Sequence, residues 1–317
     1  MPVTYKFILF QILIIGPFIL GMYWKRYFQS PEQLARRIVL LNLCTLDPVI
    51  ILWTVWGLEI SKNLILLPFC GFCMVFIGFV IGFLFSIPLH LPRTSRATFI
   101  ITASLANHGF TLGGFVCYLL LGEKGLALAY IFLTYFVFYL FMFIFPYARW
   151  EQTANTAISK TKLLVETLFN IRNIPLYVTL LALILQKCHI QRFDFKMPID
   201  TMLLISISIY YFSLGLTYSL SNPFKNISIH GVQALIKFIL MPIFTLALIH
   251  VLPLEPIMES VIRIQSFMPV AILSVVVSIL FDLNTRMSAD LFVWNTIFFL
   301  VVVFPILYFF PVITGFI

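Results

Sequence analysis

The sequence predicts an all-α polytopic membrane protein with about ten transmembrane helices in two inverted five-helix repeats. Three observations predict it. Of the 317 residues, 62% are hydrophobic and 10% are charged, whereas soluble domains carry roughly 25% charged residues. Apolar runs close to the roughly 20 residues needed to cross hydrocarbon recur along the chain, and the connectors between them leave no room for a soluble domain. The fifth run, ALAYIFLTYFVFYLFMFIFP up to Pro146, also matches the tenth, SADLFVWNTIFFLVVVFP up to Pro305, in length, aromatic density and terminal proline. Five spans is an odd number, so two such units sit with opposite orientation in the membrane, as in many secondary transporters.

The apolar runs place spans near residues 7–23, 38–57, 64–87, 97–121, 125–145, 173–187, 198–220, 230–252, 257–280 and 288–311. The first is followed by Trp24, Lys25 and Arg26 and lacks a small-residue cleavage site, so it is expected to remain as a span. Residues 1–146 form the first repeat, 147–172 a linker with room for an interfacial helix, and 173–317 the second repeat. The basic residues favour the odd-numbered connectors. These hold Lys25, Arg26, Arg36, Arg37, Arg93, Arg96, Arg149, Lys160, Lys162, Arg172, Lys225 and Arg286, against seven on the other side. The positive-inside rule then puts the odd connectors and the linker in the cytoplasm and both termini outside. A plasma or inner membrane is the expected location.

Span four organises the chain. Its centre carries Asn107, His108, Gly109, Gly113 and Gly114 within sequence that is otherwise apolar enough to span. Inside hydrocarbon a loosened helix is tolerated only where protein or a water-filled cavity surrounds it, which suggests a transport site; close helix packing through small residues is the alternative. By repeat logic span nine should be interrupted too. RIQSFMPVAILSVVVSIL has Gln265 and Ser266 followed by Pro269, and a mid-helix proline frees a carbonyl and kinks the helix. Paired interruptions at corresponding positions point to a midplane binding site.

Ionisable residues within spans cost about 2.5–3.5 kcal/mol on insertion scales, so each needs a reason. Asp47, ahead of Pro48 in span two, reads equally as a proton, cation or counter-ion site and as a helix cap. His108 can titrate near physiological pH and couple protons to transport, or hydrogen-bond between helices. Lys237 lies about seven residues into span eight, where its stem is expected to snorkel to the interface.

Other functions fit less well. The net charge of +8 is scattered over connectors and forms no nucleic-acid stripe. The five cysteines are an odd number in apolar surroundings, and the Cys70/Cys73 pair lies in mid-span, so neither disulfides nor a metal is expected. No metal-ligand spacing, nucleophile elbow or phosphate loop marks an enzyme. No catalytic residue and no cofactor is assigned. The expected partners are a small-molecule substrate and the lipid bilayer, with a homodimer left open and no nucleic acid.

Asn107, Gly109 and Phe110 in span four, the turn Gly122, Glu123, Lys124, Gly125 into span five, and Met268, Pro269 and Ala271 in span nine form a pattern. Pro48, the Ser213, Leu214, Gly215 run and the Met241, Pro242 pair extend it over most of the chain. In these residues the sequence resembles the auxin efflux carrier family of membrane transporters, which is related in fold to the bile acid sodium symporters. Gly114 stands where the family has a proline, and Leu273 where it often has a polar residue. The resemblance implies broken helices four and nine that cross at the binding site, and outward movement of a small organic anion. It carries Asn107, Gly109, Gly114 and Pro269 into that site. Polarity adds Gln265 and, for coupling, Asp47 and His108. A sodium-coupled symporter of the bile acid type, and a receptor or scaffold that binds without transporting, are the alternatives.

Overall fold

The computed structural model describes residues 3–58, 62–109, 112–151, 174–217 and 227–309. The interfacial helix expected in the linker, with Lys160, Lys162 and Arg172, lies outside them, as do Lys225 and Phe110. The described residues are helical, with a single isolated antiparallel bridge between Ala106 and Val270. Among the described residues six helical stretches are long and apolar enough to cross a membrane: Pro31–Trp56, Asn63–Ser86, Gly113–Tyr135, Ile199–Thr217, Ile227–His250 and Thr285–Phe309. Spans four and nine are absent from that set as whole helices because each is cut in two. Span four is divided into Arg93–Ser104 and a helix that starts at Gly113, and span nine into Pro256–Ser266 and Leu273–Leu280. The turn between spans four and five falls at Gly122, whose φ of 71° suits glycine.

Local chemistry explains several boundaries. Pro31 and Pro256 occupy the first position of their helices, where a missing N–H costs nothing. Asn284 caps Thr285–Phe298 by accepting from the Met287 N–H at 3.1 Å. Prolines within spans act differently. Each of Leu140–Ile144, Ile236–Leu240 and Phe299–Val303 is a π-helical turn, and each lies just ahead of a proline: Pro146, Pro242 or Pro305. The residue before the proline donates back five residues in each case, from Phe145 to Leu140, Met241 to Ile236 and Phe304 to Phe299. A proline withholds one bond and clashes with the carbonyl four residues back, so a local widening accommodates it. Spans five and ten thus share a device as well as a sequence ending.

Two compact units emerge, each drawing on both halves of the sequence: Met1–Ile60 with Leu168–Leu220, and Ser61–Thr167 with Ser221–Ile317. In the first, span one packs along span seven through glycines. A Cβ on Gly21 would meet the Phe212 carbonyl and the Gly215 Cα at 3.0 Å, and one on Gly215 would meet the Phe18 carbonyl and the Met22 nitrogen at 2.9 Å. Small residues of this kind let helix backbones approach in a membrane. Span two bends at Thr45 between Pro31–Cys44 and Leu46–Trp56. The connector after span six docks on its end: Trp56 Nε1 donates to the Ile190 carbonyl at 2.7 Å, and Arg192 donates to the Trp53 carbonyl at 3.0 Å while covering that indole at 4.5 Å.

In the second unit, Gly78 and Gly82 of span three admit the first half of span four, their missing side chains leaving space for Ala103 and Ser104. Arg93 and Arg96, at the start of that half-helix, reach the buried Glu151 at 3.0 and 3.5 Å.

Gly215→Val should force spans one and seven apart and destabilise the protein by about 1–3 kcal/mol, the usual cost of overpacking. Gly16→Ala, with nothing within 4 Å of the added carbon, should not. Thermal unfolding of the two purified variants would check this.

Candidate functional site

Breaking a helix inside hydrocarbon strands its terminal N–H and C=O groups, and each must find a partner. Here the two breaks supply one another. In span four the described residues between Ser104 and Gly113, 105–109 and 112, are not helical, and in span nine those between Ser266 and Leu273 are not either. The Asn107 N–H donates to the Pro269 carbonyl at 2.7 Å, and the Ala271 N–H donates to the Leu105 carbonyl at 3.1 Å. Pro269 has no N–H of its own, and the carbonyl it contributes is the one Asn107 uses. The next N–H, that of Val270, donates to Asn295 Oδ1 from span ten at 3.0 Å. The second half of span four restarts on its own loop, with Gly113 donating to the Asn107 carbonyl at 3.0 Å and Gly114 to that of Gly109 at 3.2 Å.

Side chains from neighbouring spans fix this junction. Ser104 Oγ, at the end of the first half-helix, donates to the Val75 carbonyl at 2.8 Å and lies 2.7 Å from the Tyr139 hydroxyl. His108 is buried, with Nδ1 2.8 Å from the Tyr135 hydroxyl and its ring edge-on to Phe132. Gln265 is 0% exposed, and its Nε2 lies 3.5 Å from Cys117 Sγ. Its Oε1 is buried without a hydrogen-bond partner and faces Gly113, where an added Cβ would collide with it.

Asn107, His108, Gly113, Gln265 and Pro269 are therefore brought together by direct contacts, with Gly109 and Gly114 completing the loop. Gly114 stands in the first turn of the second half-helix, away from the backbone pairing itself. Asp47 belongs to the other compact unit, where the Tyr210 hydroxyl and Ser206 Oγ, the latter at 2.7 Å, donate to its carboxylate. Ser206 Oγ in turn accepts from Asn42 Nδ2 at 2.8 Å. Among the described residues no ion pair is made to Asp47. It caps no helix through its side chain.

Sequence reasoning misplaced one residue and overlooked two. Lys237, expected to snorkel, is 2% exposed and donates from Nζ to the Leu105 carbonyl at 3.1 Å. It lies in the π-helical turn Ile236–Leu240, and Pro242 five residues on was the signal available. Asn295 was visible as an amide in mid-span. Tyr135 was one aromatic among many.

The family model of membrane transport proteins, Mem_trans, matches residues 7–308. No curated protein matches the chain.

A Cβ on Gly113 would approach the carbonyls of His108 and Asn107 at 2.9 and 3.0 Å, whereas one on Gly114 meets nothing closer than 3.4 Å. Gly113→Ala should therefore lower stability by about 1–3 kcal/mol, and Gly114→Ala should be neutral or slightly stabilising, since alanine is the better helix former. A denaturation series on both variants, read by tryptophan fluorescence, would separate them.

Proposed function

From the premise that the chain belongs to the membrane transport protein family of auxin efflux carriers, we propose that it is a secondary transporter that moves a small organic anion by alternating access. As a member of that family it is an integral, multi-pass membrane transporter and not an enzyme. The observation that carries the finer proposal is the backbone pairing of the two broken spans, Asn107 to Pro269 and Ala271 to Leu105. In transporters, discontinuous helices aim half-helix N-termini at anionic groups of the substrate. Two helices restart beside this junction, at Gly113 and at Leu273. The side chains gathered there, Asn107, His108, Gln265 and Lys237, include no carboxylate and one cation, a setting that suits an anion better than a cation.

In this scheme the two sequence halves are inverted repeats of five spans with crossing fourth and ninth helices, and one bundle rocks against the other during transport. The termini lie outside, in a plasma or inner membrane, and export is the direction. Coupling runs through protons at His108 or Asp47, or is absent. The carbonyls of Leu105, Asn107 and Pro269 are engaged by N–H groups and, at Leu105, by the Lys237 Nζ as well, which supports sodium independence over the bile acid type of symport.

Purified protein should be stabilised against heat by one or more small carboxylic acids, because a ligand that binds the native state raises apparent stability by mass action. The same acid should leave Asn107→Leu unchanged. Silence towards every acid would remove the anion assignment. In proteoliposomes preloaded with the stabilising acid, wild type should release it faster under a proton gradient if coupled. Asp47→Asn keeps the size of the side chain and removes its titration; if Asp47 is the coupling group, that variant should lose the gradient dependence while retaining downhill flux. Flux indifferent to the gradient in wild type would leave only the uncoupled form.

A further inference from the structure

A half-helix that ends in mid-membrane leaves carbonyl groups carrying the negative end of the helix dipole, close to half an elementary charge. In transporters with broken helices such ends and the unwound carbonyls beside them coordinate the coupling cation. Here the first half of span four, Arg93–Ser104, ends at Leu105, and the Leu105 carbonyl accepts from two donors. One is the Ala271 N–H, and the other is Lys237 Nζ, each at 3.1 Å.

We propose that Lys237 is a tethered cation that takes the place of a coupling metal ion at the carbonyl end of the broken fourth helix. This role presupposes the transport site proposed above and adds to it the reason why no inorganic cation is needed there.

Three further observations support it. Lys237 is 2% exposed, and burying an ammonium without compensation is strongly unfavourable in a membrane, so its placement answers to a local negative potential. Among the described residues no carboxylate pairs with it, which leaves the helix end and its carbonyls as the compensating charge. The aim of the side chain is also built in. Lys237 lies in the π-helical turn ahead of Pro242, closed by the bond from the Met241 N–H to the Ile236 carbonyl. An inserted residue in a helix rotates those that follow relative to a regular 3.6-residue turn.

The groups around it are few. His108 from span four is near enough to interact with it electrostatically, and His108 in turn contacts Tyr135 from span five. Elsewhere at the junction the polar side chains of spans nine and ten are neutral: Gln265 lies against Cys117, and Asn295 accepts from the Val270 N–H. The cationic group offered to the Leu105 carbonyl is thus one covalently attached amine, held at hydrogen-bond distance by its tether.

The test uses the purified full chain in detergent, with thermal stability followed in sodium, potassium and choline chlorides at equal ionic strength. Wild type should show the same midpoint in all three. Lys237→Ala, which opens a cation-sized space beside the Leu105 carbonyl, should be less stable in choline and should recover progressively with sodium or with methylammonium, the severed head of the lysine. A sodium-specific rise in wild type would overturn the proposal, as would a Lys237→Ala protein indifferent to every cation. If that variant does not fold, Lys237→Gln decides, since it keeps an N–H donor without the charge. A glutamine variant as stable as wild type in choline would reduce Lys237 to a neutral donor and overturn the proposal; one rescued by sodium would support it. None of these readouts requires flux, so loss of the transport assignment, seen as silence towards organic acids, is distinguishable from loss of this one.

Discussion

The constraint on which the structure turns is that hydrocarbon offers no partner to a peptide group. A chain that breaks two of its spans must find partners for every N–H and C=O it releases. It does so by setting the two breaks against each other, so that Leu105 and Asn107 of one pair with Pro269 and Ala271 of the other. The released Val270 N–H is met by Asn295, and the first half-helix is pinned at Ser104 by span three and span five. What results is a small patch of β-like backbone inside a helical protein, held by two bonds between the breaks and one from span ten.

That commitment shapes the chemistry available. With the Leu105, Asn107 and Pro269 carbonyls engaged, an incoming cation loses those ligands, whereas two helices restart at Gly113 and Leu273. In the proposed function, anion selectivity and cation independence have one cause. Gly113 belongs to the same logic: any side chain there would strike the carbonyls of Asn107 and His108, so the tight restart of the second half-helix depends on having none.

Prolines do separate work in this fold. Pro269 breaks a helix outright because it stands in an unwound stretch and its carbonyl is taken up by another chain segment. Pro146, Pro242 and Pro305 follow π-helical turns that carry the helix onward, and each turn changes which face the following residues present. The buried charges divide similarly. Glu151 answers Arg93 and Arg96, Asp47 is held by the hydroxyls of Ser206 and Tyr210, and Lys237 answers a helix end.

Much of this was readable in one dimension. The membrane class follows from apolar run lengths, because the bilayer fixes how many residues a crossing needs. The broken fourth and ninth spans were visible as Asn107, His108 and glycines, and as Gln265 before Pro269, since polar and helix-loosening residues in mid-span stand out against an apolar background. The partners were not. Ser206 and Tyr210 lie 159 and 163 residues from Asp47, and nothing local marks them. Lys237 was misread because a lysine stem reaches outward or inward with equal ease; only the π-helical turn and the placement of Leu105 make inward the compensated choice. The sequence by itself determined where backbone could not remain helical, because that is a property of local residues. Which groups would satisfy the broken backbone was decided only by the tertiary structure, because hydrogen-bond partners far apart in the chain are chosen by packing.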